Sequence, residues 1–146
     1  MVSPILAVVA PRLLGPAIMV GLAIVIKGYA DVGDGFSAAV IVTLAISLRY
    51  VTLGWQRAER SLPVLRYAPQ VATAGLLIAL AVGFFPMLQG NPPFTHLPGP
   101  GEPVTKIGTL ELITPVLFDL GLFLLVTGSL IALVHNLARL VEGPSS

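Results

Sequence analysis

The clearest candidate for chemistry is an aspartate inside an apolar segment. Asp119 lies about five residues, or about 7 to 8 Å at 1.5 Å per residue, into a predicted membrane helix. A carboxylate at that depth destabilises the chain by several kcal/mol unless it is neutral, paired or hydrated. Two interpretations follow: Asp119 relays protons or cations, or it anchors helices by bonding to an arginine or lysine of a neighbouring subunit.

The two histidines do not form a common site. His96 lies in a predicted loop and His135 near the far end of the last apolar segment, so about a membrane thickness separates them and they cannot share one haem. His135 is interpreted as an interfacial residue or a partner of a helix C-terminal dipole. Asp31 and Asp34 could attract cations to a glycine-rich turn, although turn formation and helix capping explain them more simply.

Several other chemistries lack their residues. The chain has no cysteine, which excludes disulfides, thiolate-held iron–sulfur clusters and cysteine zinc sites. No Ser-His-Asp arrangement, phosphate-binding Gly-Lys motif or cluster of metal ligands is recognisable. The net charge of +1, from 8 basic and 7 acidic residues, gives no field for nucleic acid. We therefore expect no catalytic residues, no cofactor, no metal and no nucleic-acid partner.

The composition is typical of a membrane protein. Of the 146 residues 55% are hydrophobic and only 10% charged, against about 25% charged in an ordinary soluble domain. Four apolar segments of about 20 residues can each cross a hydrocarbon core of about 30 Å. We predict an all-α membrane protein, with residues 1–146 forming one integral membrane domain. Its four transmembrane helices are expected at residues 5–26, 36–53, 67–88 and 112–137.

The first predicted helix is the least regular. Pro11, Arg12 and Pro16 predict an irregular or interfacial start before the uninterrupted apolar stretch at residues 17–26. The N-terminus shows neither a positive region nor a convincing cleavage site, so we expect this helix to be retained rather than removed as a signal peptide.

The distribution of basic residues predicts an orientation in the inner or plasma membrane. Five arginines lie in or beside connections that would share one side: Arg49, Arg57, Arg60, Arg66 and Arg139. The connections on the other side contain only Lys27 and Lys106. Because arginine and lysine accumulate in cytoplasmic loops, both termini are predicted to be cytoplasmic.

The predicted outer loop at residues 89–111 contains five prolines and cannot be helical. Residues 94–97 and 104–107 flank a Pro-Gly-Pro-Gly turn. This pattern allows either a small β-hairpin at an edge position or an irregular loop between the third and fourth helices.

Small residues recur on the last two predicted helices, where they permit close approach of backbones. The third helix has them at spacings of three and four, in Ala68, Ala72, Gly75, Ala79 and Gly83; the fourth has a seven-residue repeat of Thr114, Gly121, Gly128 and His135. Asp119 lies about 160° around the fourth helix from Gly121, so two faces of this helix are unsuited to lipid. We expect packing at the four glycines, and a chain placed between partner subunits rather than a simple homodimer.

Two segments resemble a known family. Residues 28–36, with the sequence GYADVGDGF, resemble the Gly-His-Asn-x-Pro-Gly-Gly-Gly-Phe turn of the MrpB (MnhB) subunit of Mrp-type Na+/H+ antiporters. Residues 114–121, TPVLFDLG, resemble that family's Thr-Pro-x-Leu-Phe-Asp-x-Gly. The resemblance identifies motif residues Gly28, Gly33, Asp34, Gly35 and Phe36 in the turn. Tyr29, Ala30, Val32 and Asp34 replace the family's residues, which marks a divergent member.

The resemblance implies a small, non-enzymatic membrane subunit of a multisubunit cation/proton antiporter, working with other membrane subunits. Thr114 and Asp119, both in the second motif, are then candidates for the ion pathway or for a buried polar anchor. Two alternatives stay open: the same module in a membrane-bound hydrogenase or a complex-I-like ion pump, and a free-standing small proton-coupled exporter.

Overall fold

The computed structural model describes residues 3–27, 34–94, 103, 105–107, 110–112 and 114–142. Within these residues the α-helices are α1 (Pro4–Lys27), α2 (Asp34–Leu53), α3 (Trp55–Ser61), α4 (Ala68–Leu88) and α5 (Thr114–Glu142). A 3-10 helix, Pro63–Tyr67, leads into α4, and strands β1 (Thr105–Ile107) and β2 (Leu110–Leu112) precede α5. Four helical segments are long and apolar enough to span a membrane. The predicted fold class is thereby confirmed, while the assignment of all 146 residues to one domain stays a prediction.

Helix α1 corrects the expectation of an irregular start. It is continuous from Pro4 to Lys27 although Pro11 and Pro16 lie inside it. Each proline removes one backbone donor, and neighbouring polar groups often compensate for such losses in membrane helices. The prolines leave the carbonyls of Ala7 and Arg12 without their usual helix donors, and the helix continues through both positions.

The small hairpin forms, but its first strand is not the one expected. β1 pairs with β2 in antiparallel register, with Lys106 opposite Glu111. Of the proposed partner segment 94–97, only Phe94 is among the described residues, and it lies in the turn after α4. Pairing β1 with β2 closes a much shorter loop than pairing β1 with residues 94–97 would. Because β2 occupies residues 110–112, α5 begins at Thr114 rather than at residue 112.

The connection between α2 and α4 is ordered into α3 and the 3-10 helix, which the sequence analysis did not predict. Gly54 makes this possible by adopting a positive φ of 76° between α2 and α3. Its N–H donates to the carbonyl of Tyr50 and its carbonyl accepts from Ala58, both at 3.0 Å. Ala58 and Leu65 are buried while the connection's arginines lie outside. The segment therefore packs its apolar side on the helix ends.

The main helix contacts follow the order α4, α5, α2, α1. Helix α5 packs against α4 on one side and α2 on another, and α1 packs mainly on α2. Contacts between Gly35 and Asp119 and between Tyr50 and His135 show that α2 and α5 run parallel. A core of buried apolar residues lies where α3 joins these helices: Leu14, Val42, Ile46, Tyr50, Ala58, Leu65, Ala68 and Ile131. Helix α5 is thus the central element that positions the candidate site.

Candidate functional site

Asp119 lies in the first two turns of α5 and is completely buried, with 0% of its surface exposed. Its depth is about 7.5 Å from the start of the helix, at five residues and 1.5 Å each. The structure therefore places the carboxylate inside the protein rather than against lipid. Burial at this depth is the environment in which a carboxylate is neutral, paired, hydrated or functional.

The first turn of α2 lies directly against Asp119. A Cβ added to Gly35 would overlap the carbonyl group of Asp119, with 2.9 Å to its carbon. Only glycine permits this approach, because every other residue carries that carbon. The N–H groups of a helix's first turn have no partner within the helix and carry a partial positive charge. The α2 N-terminus, whose first residue is the acidic Asp34, therefore lies beside the backbone of Asp119.

Other motif residues surround this contact. Asp34 is the first residue of α2 and half-buried, whereas Phe36 is 58% exposed. Thr114 is half-buried at the start of α5, with Pro115 in the helix's first turn, where a missing N–H is tolerated. Gly28 and Gly33 lie outside the described residues, as do Asp31 and His96.

An aromatic side chain after α4 covers the same end of the helices. Phe94 adopts a positive φ of 61° and its N–H donates to the carbonyl of Gly83 at 2.7 Å. Its ring lies 5.7 Å from Phe84 and 6.1 Å from Phe118, measured between centroids. A Cβ on Gly83 would come within 2.5 Å of this ring. Gly83 therefore accommodates Phe94 at this end of the helices.

The other three predicted packing glycines lie between α4 and α5. A Cβ on Gly121 would be 2.8 Å from the nitrogen of Ala79, and one on Gly128 would be 2.5 Å from that of Ala72. A Cβ on Gly75 would meet the carbonyl oxygen of Gly121 at 2.6 Å. These glycines let the two backbones touch within one chain, so they are not evidence for a partner subunit.

His135 does not continue the glycine face, although it follows in the same seven-residue repeat. Its Nδ1 is 3.1 Å from the hydroxyl of Tyr50 on α2, and its ring meets Trp55 edge-on. Gly128 already lies against Ala68 and Ala72 at the start of α4, so position 135, about 10 Å further along α5, lies beyond the end of α4. Arg139, one turn later, lies over the Trp55 ring at 5.5 Å.

The Tyr50–His135–Trp55 cluster was not predicted from the sequence. Tyr50 is 85 residues from His135, and nothing local to either residue indicates the partner. The available signal was weak: a tyrosine, a tryptophan and arginines near the ends of apolar segments are typical of the membrane interface. Among the described residues, no three His, Asp or Glu side chains come together as a metal site.

Four apolar helices of spanning length and a fully buried carboxylate define a multi-pass membrane protein with an ionisable group in its interior. Residues 5–132 match the family described as a domain related to the MnhB subunit of Na+/H+ antiporter. The chain belongs to this family, as the two sequence motifs predicted.

Named relatives support the same assignment. The chain is 30% identical over 114 residues to the B subunit of the Na(+)/H(+) antiporter of Bacillus subtilis (strain 168), covering 78% of each chain. It is 29% identical over 112 residues to the protein of the same name from Alkalihalophilus pseudofirmus, covering 77% of this chain and 76% of that one. These identities fit a divergent family member.

A third relative is much longer. The probable A/B subunit of the K(+)/H(+) antiporter of Rhizobium meliloti (strain 1021) is 33% identical over 124 residues. The match covers 78% of this chain but only 12% of the relative. The chain therefore corresponds to a small part of that protein.

Proposed function

We propose that this chain is a small membrane subunit of a multisubunit Mrp-type cation/proton antiporter and that Asp119 lines its ion pathway. The observation that carries the proposal is the completely buried side chain of Asp119, whose backbone lies against the first turn of α2. A carboxylate can exchange a proton or balance a cation, which an apolar side chain at this position could not do. Thr114, near the start of the same helix, is the second candidate for lining the path.

The electrostatics of the site support a role beyond anchoring. The N-terminus of a helix stabilises negative charge nearby, and the α2 N-terminus lies against the backbone of Asp119. A position about 7.5 Å from the helix start can be reached from the nearer surface by an aqueous half-channel.

We further propose that the chain functions inside a larger assembly and contributes no catalytic residue. The relatives are antiporter subunits, and the name of the longest one combines the A and B types in a single chain. A separate chain of the A type is therefore the expected membrane neighbour. Large parts of α1 and α4 remain uncovered within this chain, including Met19 and Leu77, and are available to neighbours or lipid.

The proposed role of Asp119 is tested by Asp119→Asn in the complete complex. An amide preserves size and hydrogen bonding but cannot exchange a proton. We expect normal complex yield with loss of proton-coupled transport, measured in vesicles across a range of pH. The control is Glu59→Gln, which removes a half-buried acid from α3, at the opposite end of the membrane helices from Asp119.

Two other outcomes would contradict this role. Loss of the assembled complex in Asp119→Asn would show that the carboxylate anchors a cationic partner. Wild-type transport at every pH would remove Asp119 from the pathway and leave the chain a scaffold. Iron, nickel or flavin in the purified assembly would instead favour a redox-driven ion pump as the host.

The proposed orientation, with both termini in the cytoplasm, rests on the arginines between α2 and α4. Single cysteines at Thr95 and Glu59 are expected to react with a membrane-impermeant reagent from opposite sides. In intact cells only the cysteine at position 95 should be labelled. Labelling of both from outside would show that the orientation is wrong.

A further inference from the structure

Two threonines inside the protein differ from the other membrane threonines. Thr43 on α2 is 4% exposed and Thr127 on α5 is 8% exposed, and neither hydroxyl oxygen has a hydrogen-bond partner among the described residues. Thr52 and Thr73 instead donate to the carbonyl four residues earlier, at 2.9 and 3.0 Å. That local bond is the usual way for a membrane threonine to satisfy its hydroxyl. The hydroxyls of Thr43 and Thr127 therefore do not form this local bond.

The register of the two parallel helices places these threonines at the same level. Thr43 lies eight residues after Gly35, and Thr127 lies eight residues after Asp119, the residue that Gly35 contacts. Toward the other end, Tyr50 comes seven residues after Thr43 and bonds to His135, eight residues after Thr127. Because both helices rise by the same distance from the Gly35–Asp119 contact, the two hydroxyls lie at the same depth, about 12 Å from Asp119.

Both threonines also lie on the faces where α2 and α5 meet. Seven residues rotate a helix by about −20°, so Thr43 lies on nearly the same face of α2 as Tyr50, which bonds to α5. Thr127 is midway between Asp119 and His135 in both rise and rotation, and those two residues both contact α2. The intermediate direction on α5 therefore points at α2.

We propose that Thr43 and Thr127 bind a water molecule between them, midway along the α2–α5 interface. Each hydroxyl can donate one hydrogen bond and accept others, so the water gains two protein partners. The backbone carbonyls of Ala39 and Phe123, one turn earlier on each helix, can each accept a further hydrogen bond from the water. This gives the two to four polar partners that a buried water needs.

The water site lies between the two polar ends of the interface, Asp119 on one side and Tyr50–His135 on the other. Buried Ile46 lies one turn from Thr43 toward Tyr50, and half-buried Phe123 lies one turn from Thr127 toward Asp119. The site is therefore a midpoint where a charge crossing along α2 and α5 would be solvated. Its use in transport rests on the proposed function of Asp119, whereas the binding of water does not.

The test compares Thr43→Val, Thr127→Val and the double variant in the complete complex. A single valine leaves one hydroxyl and the water with fewer partners, so we expect the melting temperature to fall by roughly 2–4 °C. The double variant removes both polar groups together, so its melting temperature should return toward that of the wild type. Thr73→Val, which removes a hydroxyl that is exposed and bonded within its own helix, should have a small and additive effect.

A high-resolution map of the complex distinguishes water from direct contact. A solvent peak within hydrogen-bond distance of both hydroxyl oxygens supports the proposal, and a direct bond between the two hydroxyls overturns it. Single variants that are as stable as the wild type, or more so, would also overturn it. If stability behaves as expected but transport by the single variants equals that of the wild type, the water site stands and its use in the ion path is refuted.

Discussion

Helix α5 meets its two main neighbours in different ways. Against α4 it presents glycines, and the backbones touch at Gly75, Gly121 and Gly128. Against α2 it presents Asp119 and His135, which are polar and buried or half-buried. One face thus holds the helices together through close backbone approach, while the other places polar groups where lipid cannot reach them.

The difference shows how a small membrane chain can separate stability from function. Helices in lipid gain little from burying apolar surface, so close contact at small residues supplies much of their association. The α4–α5 pair does this, which leaves the α2–α5 face free to contain groups that destabilise a membrane helix. Substitutions on the first face should therefore affect assembly, and substitutions on the second should affect transport.

The largest effect is expected for Gly128→Leu on the α4–α5 face. A Cβ at this position would lie 2.5 Å from the nitrogen of Ala72 and 2.6 Å from the carbonyl oxygen of Ala68. Because backbone atoms cannot rotate away, the cost should reach or exceed the upper end of the usual overpacking range of about 1–3 kcal/mol. We expect normal membrane insertion and a severe loss of assembled complex, measured by quantitative native gel.

The matched control is Gly15→Leu on α1. A Cβ at Gly15 has no heavy atom within 4 Å, so the added side chain meets open space in this chain. Its complex yield should stay close to that of the wild type. An undiminished yield for Gly128→Leu would show that this face of α5 does not pack as described.

A smaller effect is expected for Gly35→Ala, where α2 meets Asp119. The added methyl group overlaps the Asp119 carbonyl, so the first turn of α2 must move away, at about 1–3 kcal/mol. Assembly should be reduced only in part, but transport should fall more than complex yield. Gly15→Ala is the control for the change in helix propensity. Equal losses of yield and transport would show that Gly35 acts in stability alone.

The smallest effect is expected for Tyr50→Phe at the other end of this face. The change removes the hydroxyl bonded to His135 but keeps the ring in the core. Buried neutral hydrogen bonds contribute about 0.5–1.5 kcal/mol, so a modest decrease in thermal stability should result. The control is Tyr67→Phe, at an exposed tyrosine in the 3-10 helix whose hydroxyl accepts a surface hydrogen bond from the neighbouring Arg66. The two variants would have equal stability if the Tyr50–His135 bond contributed nothing.

Much of the fold could be predicted because its signals are local. Apolar segments of spanning length define the four helices, and proline and glycine define the loop before α5. The structure departed from these local signals in two places. Pro11 and Pro16 did not interrupt α1, and the segment between α2 and α4 folded into α3 and the 3-10 helix around buried Ala58 and Leu65.

The candidate site was predictable in part. Asp119 stands out because a carboxylate within an apolar segment is costly wherever the helix packs. Gly35 was named as part of a motif, but its role as the contact for Asp119 depends on a helix more than 80 residues away. Tyr50 and Thr43 carried no signal, since tyrosine and threonine are ordinary residues in a membrane helix until their partners are known.

The sequence by itself determined that the chain is a four-helix membrane protein, that it contains an ionisable residue within a span, and that its motifs match the MnhB family. These properties follow from residue type and from spacing along one segment. Only the tertiary structure decided which faces meet: that glycines of α4 and α5 pack within one chain, and that α2 and α5 run parallel with Asp119 and His135 along their contact. Rotation and register between distant helices depend on the packing of both surfaces, which no single segment contains.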